Sequence, residues 1–189
     1  MHNAADEADN SRGPGVLSLL LAGVSLAFPV SVYYIGGGMG AGVAFPLFRY
    51  QQTYLGPSLI TLVRDIELVT SGAIGGRSAL VPFFWLAGVL LCCAACAFAY
   101  RHLRLHAEIS RRYSGFCLMG AAAAYLGGCI AQYGFSFAGS AGFTVPIGAV
   151  FMFVAGWFVA SGFPGIADKD GEGAAVTAEE APAGAAGEE

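Results

Sequence analysis

The chain has 189 residues, of which 56% are hydrophobic and 12% charged, with a net charge of −4 at neutral pH. A soluble domain carries roughly 25% charged residues. Half that share, with a mean hydropathy of +0.64, points to a membrane protein rather than a soluble domain, and no basic face is broad enough to suggest a nucleic-acid partner.

Residues 1–14 hold Asp6, Glu7, Asp9 and Arg12 and have little to bury, so they are expected to be disordered. Four runs free of formal charge follow at about 15–35, 83–100, 114–135 and 143–163. Each is close to the ~20 residues that span a hydrocarbon core of about 30 Å. Backbone groups in lipid must be satisfied within their own segment, so each run is expected to be helical. The fold expected is therefore an all-α integral membrane protein. It is a four-transmembrane-helix bundle over residues 15–166, with a long extracytoplasmic first loop (36–82) that contains an amphipathic helix. The first run starts acidic and ends on Tyr33 and Tyr34, unlike a signal peptide. Pro29 within it should kink the span, whereas Pro146 falls in a first helical turn, where proline is tolerated.

The long loop opens with GGGMGAG, Gly36–Gly42. A phosphate-binding reading needs a preceding strand and a βαβ unit, so a flexible exit from the first helix is expected instead. The following VAFPLFRYQQTYLGP is apolar and aromatic enough to pack down onto the bundle. The stretch LITLVRDIELVTSG, from Leu59 to Gly72, holds Arg64, Asp65 and Glu67. At mid-bilayer each charge would cost roughly 2.5 to 3.5 kcal/mol, against a return of about 0.3 to 0.6 per apolar residue. The segment should not span. Leu59, Leu62, Val63, Ile66 and Val69 recur at helical spacing, which suggests an amphipathic helix over about Ser58–Ser71 resting on the membrane surface or on the outer mouth of the bundle. An ion pair between Arg64 and an acidic neighbour would contribute little if exposed.

Cys92, Cys93 and Cys96 cluster in the second run, with Cys117 and Cys129 in the third. A thiolate cluster can hold a soft metal, but cysteine among alanines also packs as a small apolar residue. No metal or other cofactor is expected, and the outer loops lack the cysteines of a disulfide framework. The loop RHLRLHAEISRR sets Arg101, Arg104, Arg111 and Arg112 against one Glu. The positive-inside rule makes it cytoplasmic, with both termini on that side, most simply at the plasma membrane. Its arginines should contact anionic headgroups, at about 1 kcal/mol each near the surface. His102 and His106 share a spacing of four but are too few for a zinc site.

Gly120, Ala124 and Gly128 lie on one small-residue line in the third run, and Gly156 and Ala160 in the fourth. Such lines let helix backbones approach closely. Gln132 is the strongly polar side chain in a span, and no Asp, Glu, Lys, Arg or His lies in one, which disfavours a proton-coupled carrier. Residues 167–189 form an acidic tail expected to be disordered. The layout resembles that of the claudin-like tetraspan proteins. Those carry a Trp and a cysteine pair in the first outer loop; residues 36–82 hold neither, and the chain is not assigned to that family.

The function expected is that of a non-enzymatic structural or accessory membrane protein. It would act through helix–helix contacts and a folded outer loop, on the lipid bilayer and on other membrane proteins or itself. The alternatives are a small transporter or channel subunit with a pore between protomers, to be tested at Gln132, Tyr125 and Ser136, and a metal-binding membrane enzyme using Cys92, Cys93 and Cys96.

Overall fold

A computed structural model describes residues 12–105, 107–139 and 142–162. The tail expected at 167–189, most of that at 1–14, and His106 lie outside the described residues. The elements run in the order α1 (Arg12–Ala27), β1 (Ser31–Ile35), β2 (Gly40–Ala44), β3 (Phe48–Thr53), β4 (Gly56–Thr61), α2 (Leu62–Thr70), α3 (Val81–Leu105), α4 (Glu108–Tyr133), β5 (Ala138–Gly139), β6 (Gly142–Val145) and α5 (Ile147–Ser161).

This corrects the all-α reading. The six strands form one antiparallel sheet in the order β4-β3-β2-β1-β6-β5, and with five α-helices among the described residues the fold is mixed α/β. The cause begins at Pro29. The first run leaves the helix at Ala27 rather than continuing to Ile35, because proline lacks an N–H and biases the residue before it away from helical geometry. The following Val30–Ile35 is rich in β-branched and aromatic residues, which fit a strand. Its backbone then finds partners outside a helix: Val30 N–H donates to Ala44 O at 2.7 Å, and Gly148 N–H donates to Val30 O at 2.9 Å.

The segment expected as one amphipathic helix from Ser58 divides at Thr61. Up to that residue it is strand β4; from Leu62 it is helix α2. Thr61 caps the helix by accepting from Arg64 N–H at 3.4 Å, as a good N-cap residue does. Leu59 therefore stands exposed on a strand. Leu62 is buried, Ile66 and Val69 are half-buried, and Val63 is exposed.

The four expected spans are also reduced. Among the described residues, two helical segments are long and apolar enough to cross a membrane, Gly76–Leu105 and Glu108–Tyr133. At 16 and 15 residues, α1 and α5 reach only about 24 Å at a rise of 1.5 Å per residue, short of a core of about 30 Å.

Helix α4 packs between α3 and α5, and α1 lies along α3. The buried positions are mostly small, among them Ala22, Ala95, Ala99, Ala121, Ser18 and Ser114, whereas Leu20, Leu90, Phe116, Val150, Phe153 and Trp157 are exposed. The closest crossing joins α4 to α5. A Cβ on Gly115 would stand 2.6 Å from Gly156 O and from Ala160 N, and one on Gly156 would stand 2.7 Å from Gly115 O. Small residues are what allow that approach.

The sheet stands at one end of this helical layer, since α1 leads into β1 and β6 leads into α5. Its inner face carries the cross-strand row Thr144, Tyr33, Gly42, Gln51 and Ser58; the outer face carries Val145, Val32, Val43, Tyr50 and Leu59. The opposite end holds the α3–α4 turn. There α1 begins with Gly15 against Leu103, and α5 ends with Gly162 against Arg111.

Gly148 is where sheet and helix meet most tightly: an added Cβ would fall 2.2 Å from Pro29 O and 2.7 Å from Val30 Cα. Gly148→Ala should therefore destabilise the protein by about 1–3 kcal/mol. Gly23→Ala, in α1 with open space around it, should leave stability unchanged or raise it by up to about 1 kcal/mol. Thermal unfolding of both variants in detergent checks the contrast.

Candidate functional site: a cavity beneath the sheet

The inner face of the sheet meets α3 and α4 around a partly open cavity of about 50 Å³. Val30, Tyr33, Ala44 and Arg49 line it from the sheet side, and Trp85, Tyr125 and Gln132 from the helices. Tyr33 comes from the buried row of β1, and its hydroxyl lies 3.3 Å from Gln51 Oε1, to which it donates.

Arg49 reaches across from β3 to helix α2, where Arg49 Nη2 donates to Asp65 Oδ1 at 2.7 Å. Asp65 is buried, and an unpaired carboxylate there would be strongly unfavourable. Burial pushes the Asp65 carboxyl above its ordinary value, while the charge and hydrogen bond of Arg49 pull it back down. The pair thus fastens α2 to the sheet. The exposed Arg64–Glu67 contact at 3.0 Å is the weak local pair expected from sequence.

Among the described residues, three buried polar atoms of side chains that line the cavity lack a hydrogen-bond partner: Arg49 Nε, Trp85 Nε1 and Tyr125 Oη. The first two are donors only, and the hydroxyl can act either way. The Cys92 thiol neighbours Tyr125 Oη, but a thiol is a weak partner and the contact does not reach hydrogen-bond geometry. None of the three atoms has accessible surface of its own, so they are packed within the wall rather than open to the cavity, and leaving each unpaired costs about 1–3 kcal/mol.

The residues singled out from sequence are dispersed. Tyr125 and Gln132 do meet, at this cavity, with Gly128 and Cys129 beside them. Ser136 stands apart, its hydroxyl donating to Ala138 O at 2.9 Å. Cys92 is buried, Cys96 half-buried and Cys93 exposed, and among the described residues no three His, Cys, Asp or Glu side chains are grouped to hold a metal. Gly120 faces Leu91 and Gly128 faces Phe84 across the α3–α4 contact, with Ala124 half-buried between them. Gly156 and Ala160 meet Gly115. Arg101, Arg104 and Arg112 are exposed, but Arg111 is buried. It donates to Val159 O at 2.8 Å and to Glu108 Oε2 at 2.8 Å, tying the start of α4 to the end of α5 instead of meeting headgroups. His102 Nδ1 lies 3.1 Å from Ala107 O, so its N–H closes the α3–α4 turn.

Arg49, Asp65 and Trp85 were the residues missed. For Asp65 a signal existed: it stands three residues after Leu62 and four before Val69, on the apolar stripe of the helix. A carboxylate on a buried stripe needs a partner. No known protein family and no curated protein matches the chain, and the site is read from its own chemistry.

Arg49→Met leaves Asp65 buried without its partner and should cost about 3 kcal/mol, at the low end for a buried pair because Arg49 keeps some exposure. Asp65→Asn should cost less. With Arg49 gone only burial acts on Asp65, and its folded-state value rises further. Stability of the Arg49→Met variant should then be fully present below the ordinary carboxylate range and lost as pH rises through the raised value. Unfolding of both variants across pH 4–8 measures this; a larger cost for Asp65→Asn, or no pH dependence, would contradict it.

Proposed function

We propose that the protein is a non-enzymatic, multi-pass integral membrane protein of structural or accessory type, which presents a six-stranded sheet at the outer membrane surface as a contact surface for another protein. The observation that carries this reading is the outer face of the sheet. Tyr50, Leu59 and Val145 are exposed along one apolar cross-strand row, Tyr34 and Phe143 stack in the next with ring centroids 4.5 Å apart, and Tyr54 and Leu55 crown the β3–β4 hairpin, the latter 83% exposed. Contiguous apolar surface of this kind marks an interaction site, and its tyrosines are typical of protein interfaces.

The helical layer supports a lipid environment. Its interior is small and its surface large and apolar, the distribution that suits helices packed in lipid rather than water. The exposed Arg101, Arg104 and Arg112 gather at the α3–α4 turn. Positive charge favours the cytoplasmic side, and the described chain starts and ends at that same end. On this reading the short α1 and α5 run the same course as α3 and α4, with the bilayer thinning to meet them, so that both termini are cytoplasmic, the sheet is extracytoplasmic and the membrane is the plasma membrane.

Tyr50→Lys combined with Leu59→Lys places two charges on the outer row without touching the inner face. Purified from mild detergent, the wild-type protein should carry a partner, another membrane protein or a second copy, and the double variant should lose it at least tenfold, about 1.4 kcal/mol. A wild-type protein recovered only as a bare monomer, or a variant that keeps its partner, would contradict the proposal.

A further inference from the structure

We propose that the free edge of strand β4 pairs with the same edge of a second copy of this chain, antiparallel and centred on Leu59, to make one sheet across two molecules. The inference goes beyond the contact role of the outer face. It concerns the backbone of one edge and stands whether or not that face has a partner.

Three features define the partner. The first is the backbone inventory of the edge. Among the described residues β4 has β3 as its one neighbour in the sheet. Along an antiparallel pair, successive residues turn their backbone groups toward the neighbour and away from it in alternation. Thr53 and Gly56 close the hairpin as a pair, and beyond the strand Leu62 N–H donates to Leu47 O at 3.1 Å. Gly56, Ser58 and Ile60 therefore face β3, and Pro57, Leu59 and Thr61 face the open edge. Proline has no N–H to give. Thr61 is the N-cap of α2, and an N-cap carbonyl already accepts the first helical bond. The edge thus offers the Pro57 carbonyl, both groups of Leu59 and the Thr61 N–H. A half turn about Leu59 matches all of them. Leu59 N–H meets Leu59 O of the second copy in both directions, and Thr61 N–H meets Pro57 O on either side. The donor that Pro57 lacks falls opposite the carbonyl that Thr61 has committed to its helix. Contact between like subunits about a two-fold axis demands this self-complementarity. The second feature is access. Leu62 and Asp65 are buried and α2 packs onto α3, so the helix turns beneath the sheet rather than across the edge. Pro57, Leu59 and Thr61 are exposed, and Gly56–Thr61 carries none of the charged side chains that guard many edges against pairing. The third is the side chains. Pairing sets the two exposed Leu59 side chains next to each other and continues the apolar row from Tyr50. The same register brings the exposed Leu55 of the hairpin toward the exposed Val63 of the second copy. The half turn keeps both helical layers on one side of the joined sheet, so two copies can pair within one membrane.

The full chain in mild detergent is diluted in steps. Native mass spectrometry reads its mass and magnetic resonance reads the exchange of each amide in β4. The expected result is a dimer that dissociates on dilution, with the Leu59 and Thr61 amides at least tenfold slower to exchange in the dimer than in the monomer, and Ser58 and Ile60 alike in both. Leu59→Pro removes an N–H that bonds nothing within its own sheet, and proline is tolerated on an edge strand. The variant should fold normally and weaken the dimer at least tenfold; if it does not fold, the exchange pattern of the wild type decides. Val145→Lys charges the outer face on β6, away from this edge, and should leave the dimer intact. A wild-type protein that stays monomeric at every concentration would overturn the proposal. So would a dimer whose Leu59 and Thr61 amides exchange as fast as in the monomer, or one that a folded Leu59→Pro variant keeps. A dimer lost in Val145→Lys but kept in Leu59→Pro would assign the contact between copies to the outer face, and would overturn the edge pairing alone.

Discussion

Pro29 ends helix α1, and the strand that follows it holds the two halves of the sheet together. Strand β1 pairs along one edge with β2, where Tyr33 faces Gly42, and along the other with β6, where Tyr33 faces Thr144. The two partners come from connections far apart in the chain, one following α1 and the other preceding α5. A strand paired on both edges satisfies its backbone groups within the sheet, and β1 is the one that joins the β2–β4 run to the β5–β6 pair. Because β1 continues from α1 and β6 continues into α5, the sheet is fixed to the helical layer by covalent continuity as well as by packing. The bond from Gly148 N–H to Val30 O at 2.9 Å closes that junction.

From this arrangement the chemical division of the molecule follows. The helical layer has an interior largely of Ala, Gly and Ser, joined by the larger Trp85, Leu118, Tyr125 and Met152, while many other large apolar side chains are turned outward. Two of its interior serines return to backbone carbonyls: Ser114 Oγ donates to Ala95 O at 2.9 Å and Ser25 Oγ to Leu21 O at 2.8 Å. Polar groups that need distant partners are held at the two ends. At one, Arg111 joins α4 to α5. At the other, Arg49 and Asp65 join β3 to α2. The second junction lies beside the cavity, whose wall Arg49 also forms.

Part of this was legible in the residues. The segregation of charge marked the two long helices, α3 and α4, and the basic turn between them. The spacing of Gly156 and Ala160 marked the tight face of α5. The cost of Arg64, Asp65 and Glu67 in lipid kept α2 out of the spanning set. The sheet was not legible, for a physical reason: an apolar run of Val, Tyr and Ile after a helix has the hydropathy of a longer helix, and periodicity does not separate the two. Pro29 was the available sign and was read as a kink instead of a stop. The glycines of GGGMGAG were read as slack, yet Gly40 and Gly42 lie in strand β2. Leu59 fell on a helical stripe and also on the exposed side of a strand, and only its register with Tyr50 distinguishes the two. The cavity depended on pairing between distant segments, which no local pattern carries.

The account rests on β1 being a strand clasped on both edges. Magnetic resonance of the labelled protein in lipid tests that directly, through the backbone shifts of Ser31–Ile35 and the contacts of Tyr34. The account predicts extended shifts, slow amide exchange across β1, and contacts from the Tyr34 ring to Phe143 and from its backbone to Ala41. Helical shifts continuing through Tyr33 and Tyr34, with contacts only to residues one turn away, would contradict it.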